Sequence, residues 1–254
     1  MIIESSMHPD WLSNSYLVAD ELGGHGVVID SGGPSAALIE QIDRHDVTVT
    51  HLLLTHHHAD HVAQNAVYKD RFGVEILAHP LEAERLEDVD ATIEPGERVL
   101  EVGGLVFDAL HTPGHTDGML NFVANKSDVF TADTLFKNSV GGVRAPGSTS
   151  YADLRASIMD TLMDLPHEIT VRPGHTDPTT IGDEWEHNAF IRVWRGLDPE
   201  GEESCTALGD PATLVLFGDD YDGGHKAWVR WPDGRDDIVP GSQVQRGAGA
   251  GDAA

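Results

Sequence analysis

The chain has 254 residues, 40% of them hydrophobic, and carries 43 Asp and Glu against 16 Lys and Arg, a formal net charge of −27. That balance excludes nucleic acid and anionic membrane as partners, since phosphate binding needs a Lys/Arg footprint, and the apolar residues are too dispersed for a membrane span. Cys205 stands alone and cannot form an internal disulfide, and "MIIESSMHPDWLSNSYLVAD" lacks the basic and apolar regions of a secretion signal, so a cytoplasmic location is expected. The acids are scattered along the whole chain, which reads as a solubility adaptation.

In chain order, "SYLVAD" and "GVVIDSGG" read as paired strands joined by an "ELGGH" turn. "PSAALIEQIDRH" has helical spacing with Pro34 in its first turn, and "VTVTHLLLT" is an apolar, β-branched strand. "ADHVAQNAVYKDRFG" predicts a helix stopped by Gly73, followed by the strand "VEILAHP" and the short helix "PLEAERLED". "GLVFDALHTPG", "GMLNFVA" and "SDVFTAD" are consecutive strands broken by Gly, Asn and Ser. "SYADLRASIMDTLMDLP" is an amphipathic helix with Leu154, Ile158, Leu162 and Leu165 on one face. "HEITVRPGH" is the next strand and "TTIGDEWEHNAFIRVWRG" the closing helix. An α/β domain with largely covered sheets is expected over residues 1–197. Beyond it, "LDPEGEESCTALGDP" reads as a polar linker. "ATLVLFG", "HKAWVRWP" and "DDIVPGSQV" are short strands of a small β module over 198–245, and residues 246–254 form a disordered tail.

The chemistry is concentrated in "LLLTHHHADH", where His56, His58, Asp60 and His61 follow an apolar strand at the point where a helix begins. In extended chain alternate residues share a face, so His56 and His58 point together and His57 points away. Three imidazoles and a carboxylate suit a divalent transition metal. A histidine-rich surface loop is the bland alternative; closure of a buried-type strand weighs against it. Four protein ligands at most close a tetrahedral metal, so these four residues divide between two metals. The pentapeptide "PGHTD" occurs twice, with His115 and His175 60 positions apart, each copy following a β-prone run. Each histidine can complete one metal, and Asp133 in "FTADTLF" offers a carboxylate able to bridge the pair. Asp30 in "VIDSGG" is a candidate acceptor for a ligand imidazole, weighed equally against a strand-ending turn residue. His79 and His111 read as structural, and Tyr16, Tyr151, Trp185 and Trp194 as packing residues.

"THHHADH" matches the HxHxDH signature of the metallo-β-lactamase fold superfamily, and "HTPGHTDG", "FTADTLF" and "VRPGHT" follow in that family's order. Within it, "HTPGHTDGMLNFV…FTADTLF" and "PGHTDPTTIGDEWEHNAF" most resemble hydroxyacylglutathione hydrolases (glyoxalase II) and their short bacterial relatives. The resemblance covers about the first three quarters of the chain and implies an αββα sandwich with its site at one edge between the sheets. It also implies a ligand set: His56, His58 and His115 for one metal, Asp60, His61 and His175 for the other, and Asp133 between them.

Two metals lower the pKa of a shared water toward ~7 and provide a hydroxide nucleophile at neutral pH. The expected activity is therefore binuclear metal-dependent hydrolysis of a small-molecule thioester, with Asp60 also orienting the hydroxide; zinc is the first expectation, iron and manganese the alternatives. The chain departs from glyoxalase II in lacking its helical C-terminal region. It also carries "NSVGGVRAPGSTSY" after the bridging Asp and "TDP" where a tyrosine usually follows the last metal histidine. Lys137 and Arg144 are candidate contacts for an acidic thiol carrier. The β module, faintly similar to SH3-like barrels, suits packing or an oligomer contact. Alternative functions are a mononuclear iron persulfide dioxygenase of the same fold, using His56, His115 and Asp133, and a non-catalytic metal-binding protein. A secreted β-lactamase and the nucleases of the fold fit the composition poorly.

Overall fold

Strands that are apolar at successive positions, not alternate ones, need cover on both faces, and the computed structural model of the chain, which describes residues 1–247, supplies it. The first sheet runs β1 (Ile2–Met7), β2 (Asn14–Ala19), β3 (His25–Ile29), β4 (Thr48–Leu53), β5 (Glu75–Ala78) and β6 (Ala91–Thr92), in that spatial order. β1 to β3 are antiparallel hairpin neighbours, whereas β3 to β6 are parallel, because helical segments carry the chain back between them. Those segments are α1 (Ser35–His45), α2 (Ala59–Val62), α3 (Asn65–Phe72) and α4 (Pro80–Ala83).

The second sheet comprises β7 (Gly96–Val102), β8 (Leu105–His111), β9 (Leu120–Ala124) and β10 (Asp128–Ala132) as an antiparallel meander. A small hairpin, β11 (Leu135–Phe136) with β12 (Ser139–Val140), precedes helix α5 (Tyr151–Ala156), which continues as one π-helical segment over Ser157–Leu162. β13 (Thr170–Pro173) then pairs parallel to β10, and β14 (Thr179–Thr180), α6 (Ile181–His187) and α7 (Ala189–Trp194) follow.

Each sheet separates two cores. Leu17, Val28 and Leu52 face Leu38, Ile42 and Tyr68 on the helix side of the first sheet. Tyr16, Val18, Val27 and Leu53 face Phe107, Leu120, Phe122 and Phe130 of the second. The second sheet's outer side, with Val129 and Val171, packs on Leu154, Ile158, Leu162, Ile181 and Phe190. The layers are thus helices, sheet, sheet, helices, the expected αββα sandwich. Neighbouring side chains such as Leu17 and Val18 serve different cores, which is what period-two geometry requires.

Several elements differ from the sequence expectation. β1 and β7 are additional strands; both are edge-type with half-exposed side chains, so their apolar signal is weak. The helix expected over 59–72 is two short helices, and the closing helix breaks at Asn188. That residue leaves helical geometry at ψ 119°, and its side chain accepts from the Phe190 and Ile191 N–H groups, capping α7.

After α7 the chain builds a five-stranded antiparallel sheet: β15 (Glu203–Ala207), β16 (Asp210–Asp219), β17 (His225–Arg230), β18 (Asp236–Pro240) and β19 (Val244–Arg246). β15 lies within the stretch expected to be a polar linker. "ESCTA" becomes a strand through its pairing with β16 and β19 on either side. One face of this sheet has its own core of Cys205, Leu214, Ala227, Val229 and Val239. The other presents Val215, Trp228 and Ile238 to Tyr151, Phe190 and Trp194 of the sandwich. Of the tail expected to be disordered, Arg246 ends β19, and residues 248–254 lie outside the described residues. Among the described residues no helix is long and apolar enough to cross a membrane.

Candidate metal centre

β4 ends at Leu53, and the chain bends at Thr55 and reaches α2 at Ala59 through His56, His57 and His58, the last in extended conformation (φ −65°, ψ 143°). β8, β10 and β13 end at the same edge of the sandwich and deliver His115, Asp133 and His175. Among the described residues three groups of donor atoms lie within 4.8 Å of one another: His56, His58 and His115; Asp60, His61 and His175; and Asp30 with His56 and His61, across the first two. Asp133 stands between the first two. Its Oδ2 is 3.4 Å from the Nε2 atoms of both His115 and His175, and its Oδ1 is 3.2 Å from His61 Nε2. Asp60 Oδ2 lies 3.6 Å from His175 Nε2 and 3.7 Å from His61 Nε2.

Every imidazole of the cluster has its outer nitrogen fixed by an acceptor. His58 Nε2–H donates to the Pro146 carbonyl (2.9 Å), His115 Nδ1–H to Gly142 (2.9 Å) and His175 Nδ1–H to Trp11 (3.0 Å). His61 Nδ1–H donates to Asp30 Oδ2 (2.8 Å). The same carboxylate receives both the amide and the hydroxyl of Thr55, each at 2.8 Å, and so turns the Thr55 oxygen to accept from His56 Nδ1 at 3.0 Å. Asp30 therefore orients two imidazoles, one directly and one through Thr55; it also directly follows the end of β3, at φ +54°, so both of its candidate readings are found in the one residue. A neutral imidazole has one N–H, and each donates it outward, so five lone pairs converge inward. His115 Nε2 and His58 Nδ1 approach to 2.9 Å, while His56 Nε2, His61 Nε2 and Asp133 Oδ1 are buried without a hydrogen-bond partner. Converging buried acceptors are costly unless a cation sits among them. The donor set of imidazoles and carboxylates fits divalent metal ions.

The two sides of the cluster differ electrostatically: at His61 the Asp133 and Asp30 carboxylates outweigh burial and hold the imidazolium well above its usual range, so an ion bound there would take the place of a proton. Burial pushes the His56 imidazolium well down and that of His115 down to about 4, leaving both neutral and able to act as ligands. Burial opposes ionisation of Asp133, but the facing His175 and His61 outweigh it and hold the carboxyl well below its usual range.

His57 faces away, as the alternation argument requires. Its ring Nδ1 and its backbone N–H both meet Glu82 Oε2. Glu82 is wholly buried, and its other oxygen accepts from Thr116 Oγ1 (2.7 Å) and the Gly118 N–H (3.0 Å). One carboxylate thus ties the His56–His58 segment to the loop carrying His115. Sequence reasoning missed this residue, which sits in a short charged helix that reads as surface. Asn14 and Tyr16 play the matching part at the other histidine. Tyr16 Oη donates to the Pro173 carbonyl (2.7 Å), and Asn14 donates from its backbone to Gly174 (2.7 Å) and from its side chain to Thr176 (2.8 Å). His79 and His111 stack on each other (5.0 Å, 7°) outside the cluster.

The two candidate substrate contacts lie apart. Lys137 is at the β11–β12 turn, 3.7 Å from Asp177. Arg144 is engaged by Asp237 of the C-terminal sheet at 2.6 Å, and lines a cleft of about 660 Å³ with Arg155, Trp231 and Arg235 that none of the seven cluster residues borders.

The profile of the Metallo-beta-lactamase superfamily matches residues 8–175. The chain is 35% identical over 187 residues to "Hydroxyacylglutathione hydrolase GloC" of Haemophilus influenzae, an alignment covering 66% of this chain and 87% of that protein. Among solved structures, the BLEG-1 B3 metallo-beta-lactamase superposes with a TM-score of 0.70 at 29% identity, over 75% of this chain and 99% of the other. ETHE1 from Myxococcus xanthus superposes with 0.67 at 27%, over 78% and 92%. With the sandwich, the two donor triads and the intervening carboxylate in place, the chain belongs to the metallo-beta-lactamase superfamily.

Proposed function

We propose that the chain is a binuclear metal-dependent hydrolase acting on a small thioester, of the hydroxyacylglutathione hydrolase type. The observation that carries this reading is the sorting of six donors into two triads with Asp133 between them. The relative named for that activity supports it. His56, His58 and His115 would hold one ion, Asp60, His61 and His175 the second, and Asp133 both; zinc suits the mix of imidazole and carboxylate. When bound, the two ions supply Lewis acidity and a water acidified to near-neutral pKa.

The chain's own residues do the rest. Asp30, Thr55 and the three backbone carbonyls fix each imidazole's tautomer, so that no ligand reorients during turnover. Asp133 is a buried anion among cations and offsets their mutual repulsion. Asp60, the most exposed carboxylate of the cluster, with 29% of its side chain accessible, is the one placed to accept a proton from solvent-side water. A thioester suits the site because a thiolate departs unprotonated and needs no general acid.

Metal content of freshly purified protein, together with hydrolysis of a thioester panel including S-lactoylglutathione, tests the reading. Two ions per chain and turnover are expected. Asp133→Ala should lose metal and turnover together, whereas His57→Ala should retain the metal. One iron per chain with oxygen uptake on a persulfide would replace the proposal by the dioxygenase reading, and full metal and turnover in Asp133→Ala would end it.

A further inference from the structure

The family profile ends at residue 175, yet the C-terminal sheet reaches back to the metal cluster. On the turn between β16 and β17, Tyr221 lies flat on the His175 imidazole, with ring centroids 4.2 Å apart and 15° between planes. Its other neighbour is Phe136 of the β11–β12 hairpin, at 4.7 Å. The turn is locked in place. Lys226, buried, donates to the Val140 carbonyl at 2.6 Å and lies 3.0 Å from Asp220 Oδ1. That carboxylate oxygen also accepts from Ser139 Oγ (3.1 Å) and from the Tyr221 N–H (2.9 Å). A lysine buried under an aromatic turn is costly unless fully paired, so this anchor is built for position.

Tyr221 itself is half-buried, and among the described residues its hydroxyl has no hydrogen-bond partner. The ring thus walls the side of the cluster at His175, and its phenol O–H is a donor beside a cluster made of acceptors. A site that hydrogen-bonds a substrate oxygen rejects the analogue lacking it more sharply than an apolar wall can.

We propose that Tyr221, supplied by the C-terminal sheet, is a substrate-positioning residue that selects hydroxylated acyl groups: its O–H donates to a hydroxyl oxygen on the acyl chain, and its ring limits acyl bulk over His175. This deepens the thioesterase reading and rests on it. The test uses the full chain, metal-loaded, with lactoyl and propionyl thioesters of one thiol. It adds calorimetric titration with lactate and with propionate, the corresponding free acids, which needs no turnover. Wild type should prefer the lactoyl compound in both assays.

Tyr221→Phe should lose about tenfold in kcat/KM for lactoyl thioester, through KM, and the same preference for lactate. Propionyl hydrolysis should fall less than lactoyl hydrolysis, and metal content should stay at the wild-type value. Lys226→Met, which removes the buried ammonium that anchors the turn and lies 5.4 Å from the Tyr221 ring while leaving the phenol itself intact, should reproduce the loss. Equal effects of Tyr221→Phe on both acyl groups, no effect on either, or a loss of metal would overturn the assignment, the last by making Tyr221 a mere support for His175. Absence of all thioester turnover in wild type would sink the thioesterase reading alone. The calorimetric preference and its loss in Tyr221→Phe would then still decide the role of Tyr221.

Discussion

The two "PGHTD" segments are identical in sequence and unlike in structure. In the first, Pro113 lies two residues beyond the end of β8, Gly114 takes φ +149°, and the turn packs against α5. In the second, Pro173 is itself the last residue of β13, and Gly174 lies against Asp133, with its amide bonded to the Ala132 carbonyl. The first turn is held by Glu82 and by loop 142–149, the second by Asn14, Tyr16 and Trp11 from the opposite sheet. Each surrounding holds the same imidazole Nδ1 to a backbone carbonyl and aims the same Nε2 inward. Identical local sequence therefore secures the ligand's chemistry, and the tertiary setting decides everything else about the turn.

Position by position, substitutions should separate the copies. At the histidines the effect is largest: His115→Ala and His175→Ala should each lower bound metal from two ions to one per chain and abolish most turnover. Metal analysis that finds both ions lost in one variant and one ion lost in the other would show the two triads to be unequal partners.

The glycines come next, and here the consequences should differ in kind. A Cβ at position 174 would press on Asp133 Oδ1 and lie 2.8 Å from the Ala132 carbonyl carbon and 2.9 Å from His61 Cε1, so Gly174→Ala should weaken metal binding ~10–100-fold in addition to a cost in stability. A Cβ at 114 would sit 2.6 Å from Leu154 Cα and on a left-handed backbone, so Gly114→Ala should cost about 1–3 kcal/mol of stability. Denaturant melts and competition with a chelator, run on both, read the two effects separately.

For the threonines a difference of sign is expected. Thr116 is buried and donates to Glu82, so Thr116→Val should destabilise by ~1–3 kcal/mol through the orphaned carboxylate oxygen. Thr176 sits at φ +57°, where a β-branched residue is strained, so Thr176→Gly should leave stability within ~0.5 kcal/mol of wild type or raise it. A loss at 176 as large as that at 116 would mean the strain is not there.

The aspartates should differ least. Asp117 makes a paired contact with Arg85, both bonds 2.7 Å, whereas Asp177 is largely exposed. Asp117→Asn should cost ~0.2–1 kcal/mol and Asp177→Asn nothing measurable. The Arg85 hydrogen bond holds the Asp117 carboxyl below its usual range. Its contribution is therefore present above the unfolded pKa of ~3.9 and lost as pH falls through the folded value. The gap in melting temperature between wild type and Asp117→Asn should close on acidification, not on going alkaline.

The seven cluster residues were legible because they occupy short motifs at strand ends, where period-two alternation by itself separates His57 from His56 and His58. Thr55 was legible in principle, inside the same motif, but hydroxyls adjoining ligands do not announce a direction. Glu82 and Tyr221 were not legible. Glu82 reads as a surface acid until the fold buries it between two loops. Tyr221 lies 46 positions beyond His175 in a separate sheet, so only tertiary packing brings them together. β15 was hidden for a similar reason, since its polar side chains become a strand only through neighbours on both sides.

The carbonyl that fixes the last cluster histidine belongs to Trp11, 164 positions earlier in the chain. During synthesis the His56–His58–His115 group can gather while residues near 175 are still inside the ribosome. The other group requires the chain's beginning to meet a strand made much later, a contact of high sequence separation and correspondingly slow formation. The second group thus depends on a contact between the two ends of the sandwich that the first group does not need.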